Sequence, residues 1–213
     1  LATEIGDASL SDTICGDAIN HTEQAIFNTF DLTLNQSQQT NTVTSGTNTL
    51  ASSLPSSFQR INNIVVTSPA NAVNNLKQYY LSPDDFREQF PQAGTSSAST
   101  GPLQWWTYWT GVEFAWNADQ TYTVKIDYTK SVTLMSGSTD VPTVPQSFEE
   151  LLILGSKIRI YEQKEDFDYA SQFVNRYSDL LEAFITRYGT RQVDYQVTVP
   201  GSRKRTSGRV IYR

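Results

Sequence analysis

Residues 166–189 have the sequence DFDYASQFVNRYSDLLEAFITRYG, which contains the longest periodic apolar pattern of the chain. From Phe167 onward the apolar side chains recur every three or four residues, the spacing that places them on one face of an α-helix. Asp166 is a suitable N-cap, because its carboxylate can accept a hydrogen bond from a free backbone N–H of the first turn. Gly189 is suited to the left-handed position that often follows a helix. The pattern predicts a helix over 166–188.

Two further helices are predicted, one just before this stretch and one near the start of the chain. Pro145 and the acidic pair after it favour a helix start, and the apolar spacing that follows predicts a helix over 146–158. The charged break between the two C-terminal helices is short, so we expect them to pack as an antiparallel pair. Near the N-terminus the apolar residues predict a helix over about 5–30, and Ser11 is a suitable N-cap for its stronger second half.

The middle of the chain, about residues 40–130, has the features of an antiparallel β-sheet. Apolar runs typical of buried strands occur at 61–66 and 76–81. Residues 121–128 alternate apolar and polar side chains with the two-residue period of a half-buried strand. Four polar or small residues precede this strand, which predicts a hairpin that pairs 112–117 with 121–128.

The segments around these strands are polar. Residues 35–53 consist mainly of Asn, Gln, Ser and Thr, a composition typical of an exposed loop or of polar edge strands. The sequence SPDD at 82–85 is the start signal of a short helix, which Pro91 ends. Taken together, the patterns predict an α+β fold. An antiparallel bundle of the N-terminal helix and the two C-terminal helices is fused to an antiparallel β-sheet middle, and an extended basic tail follows over 191–213.

The composition excludes several classes of protein. The chain has 213 residues, of which 38% are hydrophobic and 12% aromatic, which is too apolar for a disordered chain and sufficient for a sizeable core. No stretch approaches 18 apolar residues, so we expect no membrane partner. Cys15 is the only cysteine, so no internal disulfide can form. Met135 is the only methionine, which predicts that native residues precede Leu1.

Charge is distributed unevenly along the chain. The net charge is −6, but residues 1–190 carry ten basic and 21 acidic side chains, whereas 191–213 carry six basic side chains and one acid. An acidic body is therefore joined to a basic C-terminal segment. Basic ends often bind anionic partners such as nucleic acid or an acidic protein groove, and the alternative is a solvated tail without a partner.

No set of residues in the sequence predicts catalysis, a cofactor site or a metal site. Cys15 and His21, the only candidates for a thiol–imidazole pair, would lie on different faces of the N-terminal helix. Asp84 and Asp85 are adjacent and point about 100° apart on a helix, so they do not converge on one proton. One Cys and one His are too few ligands for structural zinc, and neither a P-loop nor a GxGxxG motif is present. The sequence therefore favours a structural or binding protein over an enzyme.

All four tryptophans fall within residues 105–116. Core and cross-strand packing is the simpler interpretation, since aromatic pairs stabilise sheets. The alternative is a carbohydrate- or host-binding module, because exposed aromatic rings form platforms for sugars. An exposed coplanar pair among Trp105, Trp106 and Trp109 would support that alternative, and burial of these rings would exclude it.

A series of short motifs extends over about residues 5–190. The motifs are DAIN at 17–20, LPSSFQRINNIVV at 54–66, LKQYYLSPDDFREQFPQ at 76–92, LMSGSTD at 134–140 and DFDYA at 166–170. In this order they resemble the head-to-tail adaptor, or neck connector, proteins of tailed bacteriophages. The N-terminal start and the long Ser/Thr segments depart from the pattern of that family.

The resemblance implies a structural virion protein and not an enzyme. It implies a homo-oligomeric ring of twelve subunits in the virion neck, assembled in the host cytoplasm, with the portal protein above it and tail or neck proteins below. Genomic DNA would pass through the lumen without specific contacts. Residues 1–190 would form a single adaptor domain and 191–213 a basic arm. The arm residues expected to dock on the portal are Arg203, Lys204, Arg205, Arg209, Val210, Ile211, Tyr212 and Arg213.

Overall fold

The computed structural model describes residues 11–72, 74–95, 98–137 and 140–190. Within these ranges the chain combines α-helices with an antiparallel sheet, so the predicted α+β class is confirmed. The helices are α1 (Asp12–Thr29), α2 (Pro83–Gln89), α3 (Glu149–Gln163) and α4 (Phe167–Tyr188). The strands are β1 (Gln36–Val43), β2 (Phe58–Ser68), β3 (Asn74–Asn75), β4 (Thr100–Gly101), β5 (Trp106–Tyr108), β6 (Val112–Phe114), β7 (Asn117–Ala118) and β8 (Tyr122–Lys130).

The starts of three helices follow from local side-chain chemistry. Ser11, Ser82 and Asp166 each accept a hydrogen bond from the backbone N–H three residues later, at 3.3 Å in every case. These bonds satisfy donors that the first turn of a helix leaves free. The N-caps predicted at Ser11 and Asp166 and the helix start predicted at 82–85 are therefore confirmed, while the part of the first predicted helix before residue 11 lies outside the described residues. Helix α3 instead follows a 3₁₀ turn at Gln146–Phe148 and runs beyond its predicted end at residue 158.

The end of α4 differs from the prediction. Gly189 caps the helix with an extended backbone, at φ −62° and ψ 140°, and not in the left-handed region. Its N–H donates to the carbonyl of Ile185 at 2.7 Å. A Cβ atom on residue 189 would lie 2.5 Å from that carbonyl oxygen. Close approach to the backbone, and not a positive φ, is therefore the reason for a glycine here.

Helices α3 and α4 form the predicted antiparallel pair. At the C-terminal end of α3, Tyr161 stacks on Tyr169 and Phe173 near the start of α4, with ring centroids 5.5 and 6.0 Å apart. At the other end of α3, Glu150 forms an ion pair with Arg176 at 3.2 Å. The start of α4 thus lies beside the end of α3, and the start of α3 lies beside the middle of α4, so the two helices run in opposite directions.

Helix α1 packs against this pair, as predicted. Ile26 and Phe27 of α1 are buried in one apolar cluster with Leu151 and Leu152 of α3 and Phe184 of α4. This cluster is the core of the helical layer. A separate apolar cluster, formed by the sheet and the aromatic segment, is the core of the second layer.

The main sheet has four antiparallel strands in the order β1-β8-β2-β3. Strand β8 is central, and its apolar side chains alternate with polar ones, so that one face is buried in the core and the other faces outward. Strand β1 lies at the edge and falls within the polar stretch 35–53. Of the two alternatives for that stretch, the edge strand is the one that β1 adopts.

The predicted hairpin between 112–117 and 121–128 is wrong. Strand β8 pairs with β1 on one side and β2 on the other, so both of its edges are occupied by other strands. Strand β6 pairs instead with β5, and β7 pairs in parallel with β4. The two-residue period identified a strand correctly, but a period contains no information about the strand's partners.

The strand predicted at 76–81 is also wrong. Residues Lys77–Tyr79 form a 3₁₀ turn. Leu76 is fully buried, and its carbonyl accepts a hydrogen bond from the Trp106 indole at 2.8 Å. Tyr79 packs edge-on against Trp105, while Tyr80 lies against Trp106 and is about half exposed. The apolar side chains of this segment thus contact different aromatic partners around a turn, and do not line one face of a strand.

Candidate assembly and docking surfaces

The predicted portal-docking residues, 203–213, lie outside the described residues. The structure does show how the residues just before residue 191 are held. The backbone N–H and the hydroxyl of Thr190 both donate to the carbonyl oxygen of Asp31, at 2.8 and 2.7 Å. Gly189 forms an antiparallel bridge with Leu32. The last described residues, Gly189 and Thr190, are therefore fixed at the junction between α1 and the sheet.

The described part of the chain is strongly acidic. It carries ten basic and nineteen acidic side chains, a net charge of −9. Ion pairs join Arg60 to Asp31 at 2.5 Å, Arg87 to Glu113, and Arg176 to Glu150. A surface of this sign repels the phosphates of DNA.

The tryptophans are used mainly in packing. Trp106 is buried, and Trp105 is half-buried against Tyr79 and Phe90. Trp109 is the exposed member of the three, with 61% of its surface accessible. Because Trp109 is the only exposed ring of the three, they do not form the exposed pair that a sugar platform needs.

Trp109 lies beside an open cleft of about 830 Å³. The loop at 49–58 and the hairpin at 108–113 form its walls. Arg87 donates two hydrogen bonds to Glu113 at this cleft, at 3.1 and 2.7 Å, so the two charged groups are already satisfied by each other. The cleft therefore offers a surface for binding, and its charged groups are not arranged as an acid and a base for catalysis.

The residues weighed for catalysis are not brought together. Cys15 is buried and His21 is exposed on the same helix. Asp85 accepts a hydrogen bond from the Ser82 hydroxyl at 2.6 Å, a contact that belongs to the helix cap. Among the described residues, no group of three or more His, Cys, Asp or Glu side chains could hold a metal ion.

Glu23 is a buried acid that the sequence analysis did not single out. Its Oε1 accepts a hydrogen bond from the backbone N–H of Val144 at 3.0 Å, and its Oε2 has no partner among the described residues. Burial raises the pKa of the Glu23 carboxyl, against the lowering effect of the backbone hydrogen bonds from Val144 and Thr143. The signal was present in the sequence, because Glu23 lies four residues after Ile19 and four before Phe27 on the apolar side of the helix.

A second contact holds the same linker between β8 and α3. The Asn20 amide donates to the carbonyl of Met135 at 2.8 Å and accepts from its N–H at 2.9 Å. Asn20 and Glu23 thus attach the linker to α1 at two points. They are structural contacts at the junction of the two layers.

No helix in the described ranges is both long enough and apolar enough to span a membrane.

The described residues form an α+β protein with separate apolar cores in its helical layer and its sheet layer and an acidic net charge. The family model for SU10 adaptor protein matches residues 1–204 of this chain. The chain therefore belongs to the SU10 adaptor protein family, a phage family of the head-to-tail adaptor type. Its members are structural proteins, in agreement with the predicted class. Comparison with curated proteins gives no match.

Proposed function

We propose that this protein is the head-to-tail adaptor in the neck of a tailed phage virion. Twelve copies, assembled in the host cytoplasm, form a ring below the portal protein. The genomic DNA passes through the ring, and the lower face receives the tail or neck proteins. Membership of an adaptor family over nearly the whole chain is the observation that carries this proposal.

The charge of the body supports the role of a passive channel. DNA is held by proteins mainly through contacts between basic side chains and phosphates. The described residues have nearly twice as many acids as bases, and three of their arginines are already paired with carboxylates. A lumen built from such a surface lets DNA slide without binding it.

The basic arm supports docking on the portal. Residues 203–213 contain Arg203, Lys204, Arg205 and Arg209, followed by the short apolar run at 210–212. The basic side chains suit an acidic groove, and the apolar run suits insertion in a groove or addition as a strand. Thr190, the last described residue before this segment, is fixed to the body.

Truncation of residues 203–213 tests this function. We expect the truncated protein to keep the melting temperature and subunit number of the full chain, while filled heads fail to join tails in an assembly assay. Replacing Arg203, Lys204, Arg205 and Arg209 by Ser should weaken portal binding. If the contacts that remain are also ionic, the binding of this variant should fall further at high salt.

A matched control removes two basic residues from the body. Lys77→Ser and Lys125→Ser together change exposed lysines outside the arm and should leave portal binding unchanged. Head-to-tail joining at the normal rate by the truncated protein would show that the basic end is a solvated tail. A full chain that stays monomeric in native mass spectrometry at high concentration would contradict the ring.

A further inference from the structure

Strand β1 presents an unusually open edge. Its eight residues, QSQQTNTV, pair with β8 in one continuous register without a bulge. Natural edge strands are normally protected by lysines, prolines, bulges or covering segments. β1 contains no charged residue, no proline and no bulge, so its edge lacks these three kinds of protection.

The outward-facing groups of β1 can be identified from two hydrogen bonds. Ala51 N–H donates to the carbonyl of Thr42 at 2.7 Å, and the Thr42 N–H donates to the Asn41 side chain at 2.8 Å. Both backbone groups of Thr42 therefore point away from β8. Because this direction alternates along a strand, the backbone groups of Gln38 and Thr40 also point outward.

Only the last part of this edge is covered. The segment at 51–53 contacts residues 39–42 through backbone and amide hydrogen bonds. In the described part of the chain, the outward N–H and C=O groups of Gln38 and Thr40 have no backbone partner. The open edge therefore lies within 36–40: the Gln36 N–H already donates to the Thr33 carbonyl, and the backbone groups without a partner in the described ranges are those of Gln38 and Thr40.

Two buried side-chain oxygens at this edge also lack a hydrogen-bond partner within the described ranges. They are Oδ1 of Asn35, which is almost fully buried, and Oε1 of Gln39. Buried polar atoms are nearly always hydrogen-bonded in native proteins. Both oxygens are already enclosed by their own chain, so they mark imperfect polar packing beside the open edge and are not contacts that an added strand would reach.

The chain itself contains a segment that fits the edge. Residues 192–199 have the sequence QVDYQVTV, in which apolar Val193, Tyr195, Val197 and Val199 alternate with polar residues, and Pro200 follows. This is the pattern of a strand with one apolar and one polar face. The sheet that it would extend also has one buried face and one outward face.

The segment cannot reach β1 of its own chain directly. Gly189 pairs antiparallel with Leu32, and Thr190 is bonded to Asp31, so the chain is heading away from β1 where its position is last fixed. Only Arg191 separates Thr190 from the segment, which is too short a connection for a reversal. We infer that residues 192–199 of one copy add as a strand to the open edge 36–40 of a second copy.

This inference rests on the proposed ring and specifies its subunit contact. Each copy gives a segment to one neighbour and accepts a segment from the other, which is the head-to-tail type of interface that closes into a ring. The basic residues after Pro200 remain available for the portal. Strand addition also satisfies the outward backbone groups of Gln38 and Thr40.

A disulfide trap tests the contact with the full chain. Cys15→Ala first removes the single native cysteine. One preparation then carries Gln38→Cys, the middle of the open edge, and another carries Gln196→Cys, the middle of the segment. Centre opposes centre whichever way the strand runs, and directly opposed Cα atoms, about 4.5–5.5 Å apart in an antiparallel pair, are within disulfide reach. The two preparations are mixed, assembled and oxidised.

We expect a dimer band that joins the two variants in assembled rings. As a control, Gln163→Cys at the exposed end of α3 replaces Gln38→Cys and should give no band with Gln196→Cys. Rings that form without a cross-link between Gln38→Cys and Gln196→Cys would overturn the strand addition but would not contradict the proposed function. A chain with both Gln38→Cys and Gln196→Cys that closes its disulfide as a dilute monomer would overturn exchange between copies.

A backbone variant gives an independent measurement. Gln38→Pro removes an outward N–H and the side-chain hydrogen bond from Gln38 to Asp127, while the backbone hydrogen bonds from β1 to β8 remain. We expect the variant to melt like Gln38→Ala, which also lacks the Asp127 contact, and to require at least tenfold more protein than Gln38→Ala for half-maximal ring formation. Unchanged assembly of Gln38→Pro would count against the edge as the docking site.

Discussion

Gly155 occupies the point where the three long helices meet. A Cβ atom at this position would overlap Cγ2 of Thr22 on α1 and would lie 2.9 Å from Cε2 of Tyr177 on α4. Thr22 cannot retreat easily. The Thr22 hydroxyl donates to the Ala18 carbonyl at 2.8 Å and lies 3.4 Å from the Ser156 hydroxyl. We therefore predict that Gly155→Ala destabilises the protein, although alanine is the better helix former.

The expected size follows from two opposing effects. Alanine in place of glycine favours a helix interior by about 1 kcal/mol. Overpacking a tight core costs about 1–3 kcal/mol, and contact with two elements on opposite sides favours the upper end of that range. The net loss is about 2 kcal/mol, which lowers the melting temperature of a domain of this size by about 4–8 °C.

Chemical denaturation of three variants checks this reasoning. Gly16→Ala is the matched control, because Gly16 lies inside α1 with no atom within 4 Å of the added Cβ, so it should gain about 0.5–1 kcal/mol. Thr22→Ser keeps the hydroxyl but removes Cγ2, so it should recover at least about 1 kcal/mol when combined with Gly155→Ala. A Gly155→Ala protein as stable as the parent would refute the close three-helix contact.

Three further predictions concern single side chains. Glu23→Gln should raise the melting temperature at pH 7. A raised pKa means that the native state binds the proton more tightly than the unfolded chain, so the Glu23 protein loses stability as pH rises and the gap between the two proteins should narrow as pH falls towards 4.5. Trp106→Ala should cost about 3–5 kcal/mol in denaturation, whereas Trp109→Ala should change stability by less than about 0.5 kcal/mol. Asn20→Ala should cost about 1–3 kcal/mol and speed hydrogen exchange of the Met135 amide, because both backbone groups of Met135 lose their partner.

The helices were predictable because their signals are local. Ser11, Ser82 and Asp166 each cap a backbone N–H only three residues away, and the apolar steps of α4 repeat over its whole length. Even there, the role of Gly189 depended on its contact with the Ile185 carbonyl and not on a left-handed turn. The local sequence pattern therefore predicts where a helix lies better than it predicts the role of each residue in it.

The sheet was predictable only in part, because strand pairing joins distant residues. The alternation at 121–128 identified β8, but its partners begin at Gln36 and Phe58, far away in the sequence. The nearby β6 was the expected partner and pairs with β5 instead. The segment at 76–81 was misassigned for a similar reason, since its apolar residues face separate aromatic partners that only the folded chain brings near.

Of the two candidate docking features, the basic C-terminal segment was predictable from the sequence and the open edge of β1 was not. The basic arm was evident from charge alone, and its function remains a proposal because residues 203–213 lie outside the described ranges. The open edge of β1 was hidden, because an amide-rich stretch suits a loop as well as a strand. What distinguishes it is a set of backbone groups, at Gln38 and Thr40, that point away from β8. Backbone donors are the same in every residue except proline, so the sequence cannot show which of them folding leaves without a partner. The same polar composition that left the strand ambiguous also suits an edge that is exposed to water in the single chain.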